Sequence, residues 1–321
     1  MKRLLQLSLL ALFFVACEKE IQIELPDVPV ELVVEGIVDI NRPPLVILTR
    51  TQGYFDPIDN NTINGLFVNG AVVSLNNGTQ THDLIEICTS SIPDSILVAI
   101  SGTVGISAED LQAFNYCVYT SLDPTSFGEA GKTYQLNVQA DGKTLTAVTK
   151  IPEPVYFDSI WYELGTNQDS LGFVWVDMKD PDTIGNSYRW FAQRINHYTY
   201  GPQVGEMKDK QMIAPLGSIF DDKFFNGQKF EFAYNRGELG NNENQDDEGP
   251  EERFFKNGDT VVVQFVSIDR PNFFYFRSLE DQIATNGSPF ASPGNLESNI
   301  NGGYGVFSGY GSAYDTVVCT P

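Results

Sequence analysis

Histidine is nearly absent: the 321 residues contain two, His82 and His197. A Ser-His-Asp triad would therefore have to use one of these two. Neither Gly-x-Ser-x-Gly nor Ser-x-x-Lys occurs, so the common serine-nucleophile motifs are missing as well. Cysteine is scarce too. The four cysteines contain no Cys-x-x-Cys pair, which excludes a zinc knuckle. Basic residues are few, 20 against 42 acidic ones, for a net charge of −22. Such a surface repels phosphate backbones and excludes nucleic acid as a partner. Beyond the first 17 residues no stretch of about 18 apolar residues exists, so no later segment reads as a membrane-spanning helix.

The amino terminus is organised. Lys2 and Arg3 precede an apolar run from Leu4 to Val15, and Phe14-Val-Ala-Cys17 is followed by Glu18-Lys-Glu20. A short basic region, an apolar region and a small residue before the break form a secretory leader. A cysteine at the break is the mark of a bacterial lipoprotein signal. The expectation is a signal peptide over 1–16, lipidation at Cys17 and a tether over 17–29. Loss of Lys2 and Arg3 with the leader would make the chain two units more negative. The apolar run is too short to span a bilayer, so acyl chains would anchor a folded part that stays in water. Acidic residues directly after the cysteine resemble the surface-export signal of Bacteroidota lipoproteins, which implies the outer face of the outer membrane.

Twenty-two Phe and 14 Tyr favour pleated, half-buried surfaces. Leu32-Val-Val34 and Ile37-Val38, Leu45 to Leu48, and Ala71 to Leu75 read as strands separated by turn residues. Tyr134, Leu136 and Val138 alternate with polar neighbours, and Asp141-Gly142 joins this strand to Thr144–Thr149 as a hairpin. Short strands at this density predict a mainly β chain whose residues 30–150 form an immunoglobulin-like β-sandwich. Ser107-Ala-Glu-Asp110 starts a short helix ending near Phe114. Lys150-Ile-Pro-Glu-Pro154 is a proline-flanked junction. A second, aromatic-rich β domain follows over 155–321. Its strands lie at 160–162, 173–176, 188–191, 229–234 and 260–268. One helix near its C-terminus is capped by Asp269 or Arg270 and closed by Asn286-Gly287. Glu243 to Glu252 is too acidic to bury a core and reads as a solvated loop.

Several of these segments resemble a lipoprotein family known as domain of unknown function 4249. They are the Cys-Glu-Lys-Glu start, Leu32-Val-Val-Glu-Gly36, Gly131-Lys-Thr-Tyr134 and Thr149-Lys-Ile-Pro152. The most specific are Ser278-Leu279, Pro289-Phe-Ala-Ser-Pro293, Ser298-Asn-Ile-Asn-Gly-Gly303 and Gly305-Val-Phe-Ser-Gly309. The resemblance implies a surface lipoprotein working alongside outer-membrane TonB-dependent receptors, with no catalytic residues to carry over.

The remaining motifs each carry two readings. Cys88 and Cys117 both lie in strand-like segments and form the favoured disulfide pair for an oxidising compartment, leaving Cys319 free. Asp177, Asp180 and Asp182 are candidate calcium ligands, or simply a solvated turn, since Asp-x-Asp-x-Asp-Gly is missing. Gly128-Glu-Ala-Gly-Lys-Thr133 resembles a phosphate loop but lacks its first glycine and precedes a strand. Asp-Ser/Thr-aliphatic triplets at Ser95, Ser159, Ser170, Thr183, Thr260 and Thr316 resemble an O-glycosylation pattern, or mark strand starts. Tyr304, Phe307 and Tyr310 among glycines are a candidate recognition surface, or the rings of a glycine-bent strand packed into the core. No catalytic set or cofactor other than calcium is expected. The leading expectation is a ligand-binding or accessory subunit of a TonB-dependent receptor or similar outer-membrane assembly. The alternatives are a surface hydrolase using carboxylates or a metal, favoured if Asp177, Asp180 and a histidine share one cleft, and a structural or adhesive surface protein.

Overall fold

A computed structural model describes residues 29–53, 62, 65–92, 116–201, 204–237, 253–285 and 295–321. The leader and Cys17, the short helix at 107–114, the acidic segment 243–252 and Pro289–Pro293 lie outside the described residues. Residues Glu31–Pro321 form one compact unit. The described residues are mainly β, with sixteen strands and one long helix, α1 (Arg270–Thr285). Among them no helix is long and apolar enough to cross a membrane.

The first seven strands are β1 (Leu32–Asp39), β2 (Leu45–Arg50), β3 (Val72–Asn76), β4 (Thr81–Cys88), β5 (Cys117–Thr120), β6 (Thr133–Ala140) and β7 (Lys143–Lys150). Their spatial order is β1-β2-β5-β4 and then β3-β6-β7. This is the constant-type immunoglobulin order, ABED on one sheet and CFG on the other. The end of β4 pairs with β5 and its start with β3, so that one strand joins the two sheets. Period-2 alternation turns Val34, Leu48, Leu75, Leu136, Val138 and Leu145 inward to one apolar core. Tyr134, at the start of the sixth strand, is fully buried. Its hydroxyl donates to Phe127 O at 3.1 Å and accepts from Glu129 N at 2.8 Å, the tyrosine corner of such sandwiches. The β6–β7 turn places Asp141 and Gly142 at φ 50° and 72°, the left-handed region that an Asp-Gly turn supplies.

The second half contains β8 (Ser159–Leu164), β9 (Leu171–Lys179), β10 (Ser187–Arg194), β11 (Ile219–Asp221), β12 (Lys229–Tyr234), β13 (Phe255–Lys256) and β14 (Thr260–Ile268). After α1 come β15 (Ile300–Asn301) and β16 (Tyr304–Val318). Strands β12, β9, β13 and β8 make a small sheet, and β11, β10, β14 and β16 extend the large one. Between them lies a second core containing Trp190, Phe255, Phe265, Val174 and Val176, with Phe157, Phe220 and Phe232 at its margin. Residues of alternate parity on β14, β16 and β10 face the other way and meet α1. There Phe273 and Phe276 pack on Val266, Ile268, Val306 and Tyr310.

The last strand ties the halves together. Residues Val33 to Asp39 of β1 pair in parallel with Tyr304 to Tyr310 of β16, and β16 pairs antiparallel with β14. The proline-flanked segment after β7 crosses β16, with Ile151 in the first core and Val155 and Phe157 against the second. It crosses at two glycines. A Cβ on Gly309 would sit 2.5 Å from Lys150 O, and one on Gly311 would sit 2.3 Å from Pro152 O. Only glycine permits so close an approach of two backbones.

A buried polar network locks this crossing. Thr149 Oγ1 accepts from Gly309 N at 2.8 Å and from Asn272 Nδ2 at 2.9 Å, and donates to Asp269 Oδ2 at 3.1 Å. Asp269 also caps α1 by accepting from Asn272 N at 3.2 Å, and it accepts from Lys150 N at 2.9 Å. Ser308 Oγ donates to Asn272 Oδ1 at 3.2 Å. Asn299 replaces a strand partner for Phe307, with Nδ2 donating to its carbonyl at 2.7 Å and Oδ1 accepting from its amide at 2.9 Å. Three of the family-like segments, Thr149–Pro152, Ser298–Gly303 and Gly305–Gly309, thus meet at one junction, where their work is structural: they hold α1 over the large sheet.

Candidate functional site

Strand alternation puts Glu35, Ile37 and Asp39 of β1 on the same sheet face as Val306, Ser308 and Tyr310 of β16, their register partners. The pairing of β16 with β14, and of β14 with β10, brings Arg189 and Phe191 to that face. Helix α1 covers part of it, and Tyr275, Phe276 and Glu280 project from the helix toward these strands. Charged and ring-bearing side chains thus share one sheet face beside the helix.

Arg189 is its centre. The guanidinium lies 4.0 Å from the ring centroid of Phe276 and 4.7 Å from that of Phe191. Such stacking holds a guanidinium by cation–π attraction and leaves its donor edge available. Nη1 reaches Tyr310 Oη at 3.4 Å. Nε is buried and has no hydrogen-bond partner. Glu35 keeps an exposed surface. Burial nevertheless raises its carboxyl above its ordinary value, with Arg189 pulling it back down. Among the described residues its carboxylate has neither a hydrogen bond nor an ion pair. Burial also raises the Tyr275 and Tyr310 hydroxyls, and both feel the charges of Glu35 and Arg189. Glu280 is raised by burial as well, although its Oε2 accepts from Gly217 N at 3.1 Å.

Farther along the same face Asp39 is buried, which raises its pKa against the opposing hydrogen bonds of Ser312 and Ile40. Its carboxylate accepts from Ile40 N at 2.8 Å and meets Tyr314 Oη at 3.5 Å, with Arg42 stacked 5.0 Å over the Tyr314 ring. Burial pushes the Tyr314 hydroxyl up to about 12. Desolvated titratable groups collected on one open face mark a functional region better than any single residue does.

The raised carboxyl of Glu35 has a consequence for stability. Its folded-state pKa lies above the unfolded value, so ionisation on folding is unfavourable at neutral pH and neutral below the unfolded pKa. Glu35→Gln should therefore raise the melting temperature at pH 7. The gain should fade as pH falls through the folded pKa toward the ordinary value of 4.5. Thermal melts of both chains from pH 4 to pH 8 check this, and a pH-independent difference would contradict it.

The residues singled out in the sequence are placed elsewhere. Phe307 is fully buried in the first core, and Tyr310 is 5% exposed beneath α1. A recognition surface from Tyr304, Phe307 and Tyr310 is thereby overturned. A spacing of three along a strand sends Phe307 and Tyr310 to opposite faces, both covered, and leaves only Tyr304 exposed. Asp177 pairs with Lys229 at 2.7 Å. Asp180 is fully buried, accepting from the Tyr188 hydroxyl and, at 3.0 Å, from Gly227 N. Asp182 lies beside Gly227. The three aspartates answer to separate partners instead of sharing a ligand cage. His82 is buried between Asn77 and Asp123 in the first sandwich, and His197 is exposed beside Met207. Neither joins Asp177 and Asp180 in a cleft.

Cys88 and Cys117 are register partners on β4 and β5 and are joined by a disulfide, with Cα atoms 4.0 Å apart. Among the described residues these two and Glu86 are the one group of three ligand-type side chains close enough to share a metal. The disulfide occupies both sulfurs, and Glu86 Oε1 accepts from Gly70 N at 2.7 Å and Tyr119 Oη at 2.8 Å. Cys319 is free and buried, and burial pushes its thiol up to about 12. The phosphate-loop-like stretch is the turn entering β6, where a Cβ on Gly128 would lie 2.1 Å from Asp39 O. Of the glycosylation-like triplets, Ser159, Thr183 and Thr316 are exposed, Ser170 and Thr260 are half-buried, and Ser95 lies outside the described residues.

The grouping on this face carried no local sequence signal: Glu35, Arg189, Tyr275 and Tyr310 lie far apart in the chain, and only the tertiary pairing of β1, β16, β14 and β10 puts them on one side of the sheet. No curated protein matches this chain. No solved structure matches it. The motifs that meet at the β7–α1–β16 junction agree with a family model that matches residues 18–315, and the chain belongs to the family described as domain of unknown function (DUF4249).

Proposed function

We propose that this protein is an outer-membrane lipoprotein, anchored through acyl chains at Cys17 and exposed at the cell surface. In this reading it serves as a ligand-binding or accessory subunit of a TonB-dependent receptor or similar assembly. The observation that carries the binding role is Arg189 on the sheet face beside α1, half-buried, with Nε buried and without a hydrogen-bond partner and one long hydrogen bond to Tyr310 Oη at 3.4 Å. Keeping an under-bonded charge in a partly desolvated place costs stability, and proteins retain such places mainly where something binds. The anchoring role rests on the Phe14-Val-Ala-Cys17 box and the acidic tether behind it. The supporting scaffold is rigid: Arg189 and its neighbours stand on strands and a helix, which hold side chains more accurately than loops do.

The test is a mild-detergent pull-down of the tagged, lipidated protein from its native membrane, with mass spectrometry of the captured proteins. A stoichiometric outer-membrane barrel is the expected result. Capture of nothing above background would remove the accessory role. Cys17→Ala should move the protein from the membrane to the soluble fraction, and its retention in the membrane would remove the anchor.

A further inference from the structure

Alternation on the small sheet sends Tyr162, Val174, Val176 and Phe232 into the second core. The residues between them point the other way. Trp161 of β8 and Trp175 of β9 are register partners, with ring planes 19° apart and centroids separated by 6.3 Å. Trp161 Nε1 donates to Glu163 Oε1 at 2.7 Å, which fixes the first indole. The register partner of Trp175 on its other side is Ala233 of β12, whose side chain ends at Cβ, so β12 sets no ring against that flank. Two residues back along β9, Phe173 meets Phe254 edge-on at 5.2 Å. None of these four rings belongs to any of the three apolar cores, and each is half-buried. Cross-strand pairing contributes only weakly to a sheet, whereas large rings gathered on a solvent face mark a contact surface.

Charge selects the occupant. By the same alternation, Glu163, Asp177 and Glu231 share this face with Lys179, Lys229 and Lys256. Lys229 Nζ is already held by Asp177 at 2.7 Å and by Asp158 at 2.9 Å. Matched carboxylates and ammonium groups leave the face little net charge with which to draw an ion of either sign, and the −22 of the whole chain repels anions. The rings offer flat, electron-rich faces to polarised C–H groups, and the exposed carboxylates of Glu163 and Glu231 offer acceptors to hydroxyls. A ligand with an apolar C–H face, a rim of hydroxyl donors and no charge is a sugar. We propose that the outer face of the small sheet binds a neutral oligosaccharide, its sugar rings laid against Trp161 and Trp175 and its hydroxyls donating to Glu163 and Glu231. This goes beyond the accessory reading and uses none of the residues of the Arg189 face.

The experiment titrates the detergent-solubilised full chain with neutral oligosaccharides of glucose, xylose, mannose and galactose, read by calorimetry and tryptophan fluorescence. Oligogalacturonate and choline are the anionic and cationic comparators. At least one neutral oligosaccharide should bind more tightly than either comparator. Trp161→Ala and Trp175→Ala should each weaken that binding by about tenfold, the loss of one ring contact. If the tryptophan variants fail to fold, Glu231→Ala decides: it changes an exposed side chain and should also weaken binding by about tenfold, the loss of a hydrogen bond to a charged group. Failure of every neutral oligosaccharide to bind, tighter binding of a comparator, or binding that these variants leave unchanged overturns the proposal. A barrel captured in the pull-down without oligosaccharide binding removes this inference and leaves the accessory role standing. If that capture is itself lost in Trp161→Ala, the face belongs to a protein partner instead.

Discussion

Replacing Phe307 with alanine should lower the stability of the folded chain by about 3–5 kcal/mol, the range for deleting a fully buried phenyl ring. The ring is fully buried, and its position is prepared by several residues. Gly36, its register partner on β1, leaves the space it fills, since a Cβ there would lie 2.8 Å from Phe307 Cδ2. Leu32, Val34, Leu145 and Ile151 belong to the same core. The Asn299 clamp holds the main chain of residue 307, so it survives the substitution and prevents the strand from collapsing into the void. A cavity that cannot collapse retains its full cost. Urea denaturation of the two chains measures the difference. A loss below about 1 kcal/mol would mean that β16 is not an integral wall of the first sandwich.

A fragment ending at the proline junction, residues 30–154, should fail to fold. It keeps all seven immunoglobulin-order strands and the Cys88–Cys117 bridge, so sequence pattern alone would present it as a self-sufficient domain. The structure gives it less. Phe307 and Ile300, both members of its core, come from beyond residue 295. Without β16, strand β1 loses its parallel partner from Val33 to Asp39 and becomes an open edge. Thr149 loses Gly309, Asn272 and Asp269 together, and with them the network that fixes the end of β7. Circular dichroism and dispersed amide resonances distinguish the outcomes. A cooperative melt of 30–154 would show that the first sandwich stands alone and that β16 merely leans on it.

Local chemistry made much of the architecture legible beforehand. The alternation in Tyr134–Val138, the Asp141-Gly142 turn and the aromatic runs at 173–176 and 188–191 each announce a strand, because burial of one face imposes a period of two. The helix is equally plain, with Asp269 as its cap and Pro271 in its first turn, where a missing N–H costs nothing. The glycine-rich terminus was harder to read. Glycines erase the polar–apolar contrast that reveals a strand's faces, so Tyr304, Phe307 and Tyr310 suggested a surface when two of them are covered.

What the sequence by itself determined was therefore the class of the fold, the places of most strands, the helix and the family. All of these depend on neighbours a few residues apart. Tertiary structure alone decided that β16 lies parallel to β1, that Gly309 and Gly311 let the junction pass, and that Glu35 and Arg189 lie on one sheet face. Each of these joins residues more than 150 positions apart. Contacts at that separation leave no period in the chain and appear only once the sheets have closed around their cores.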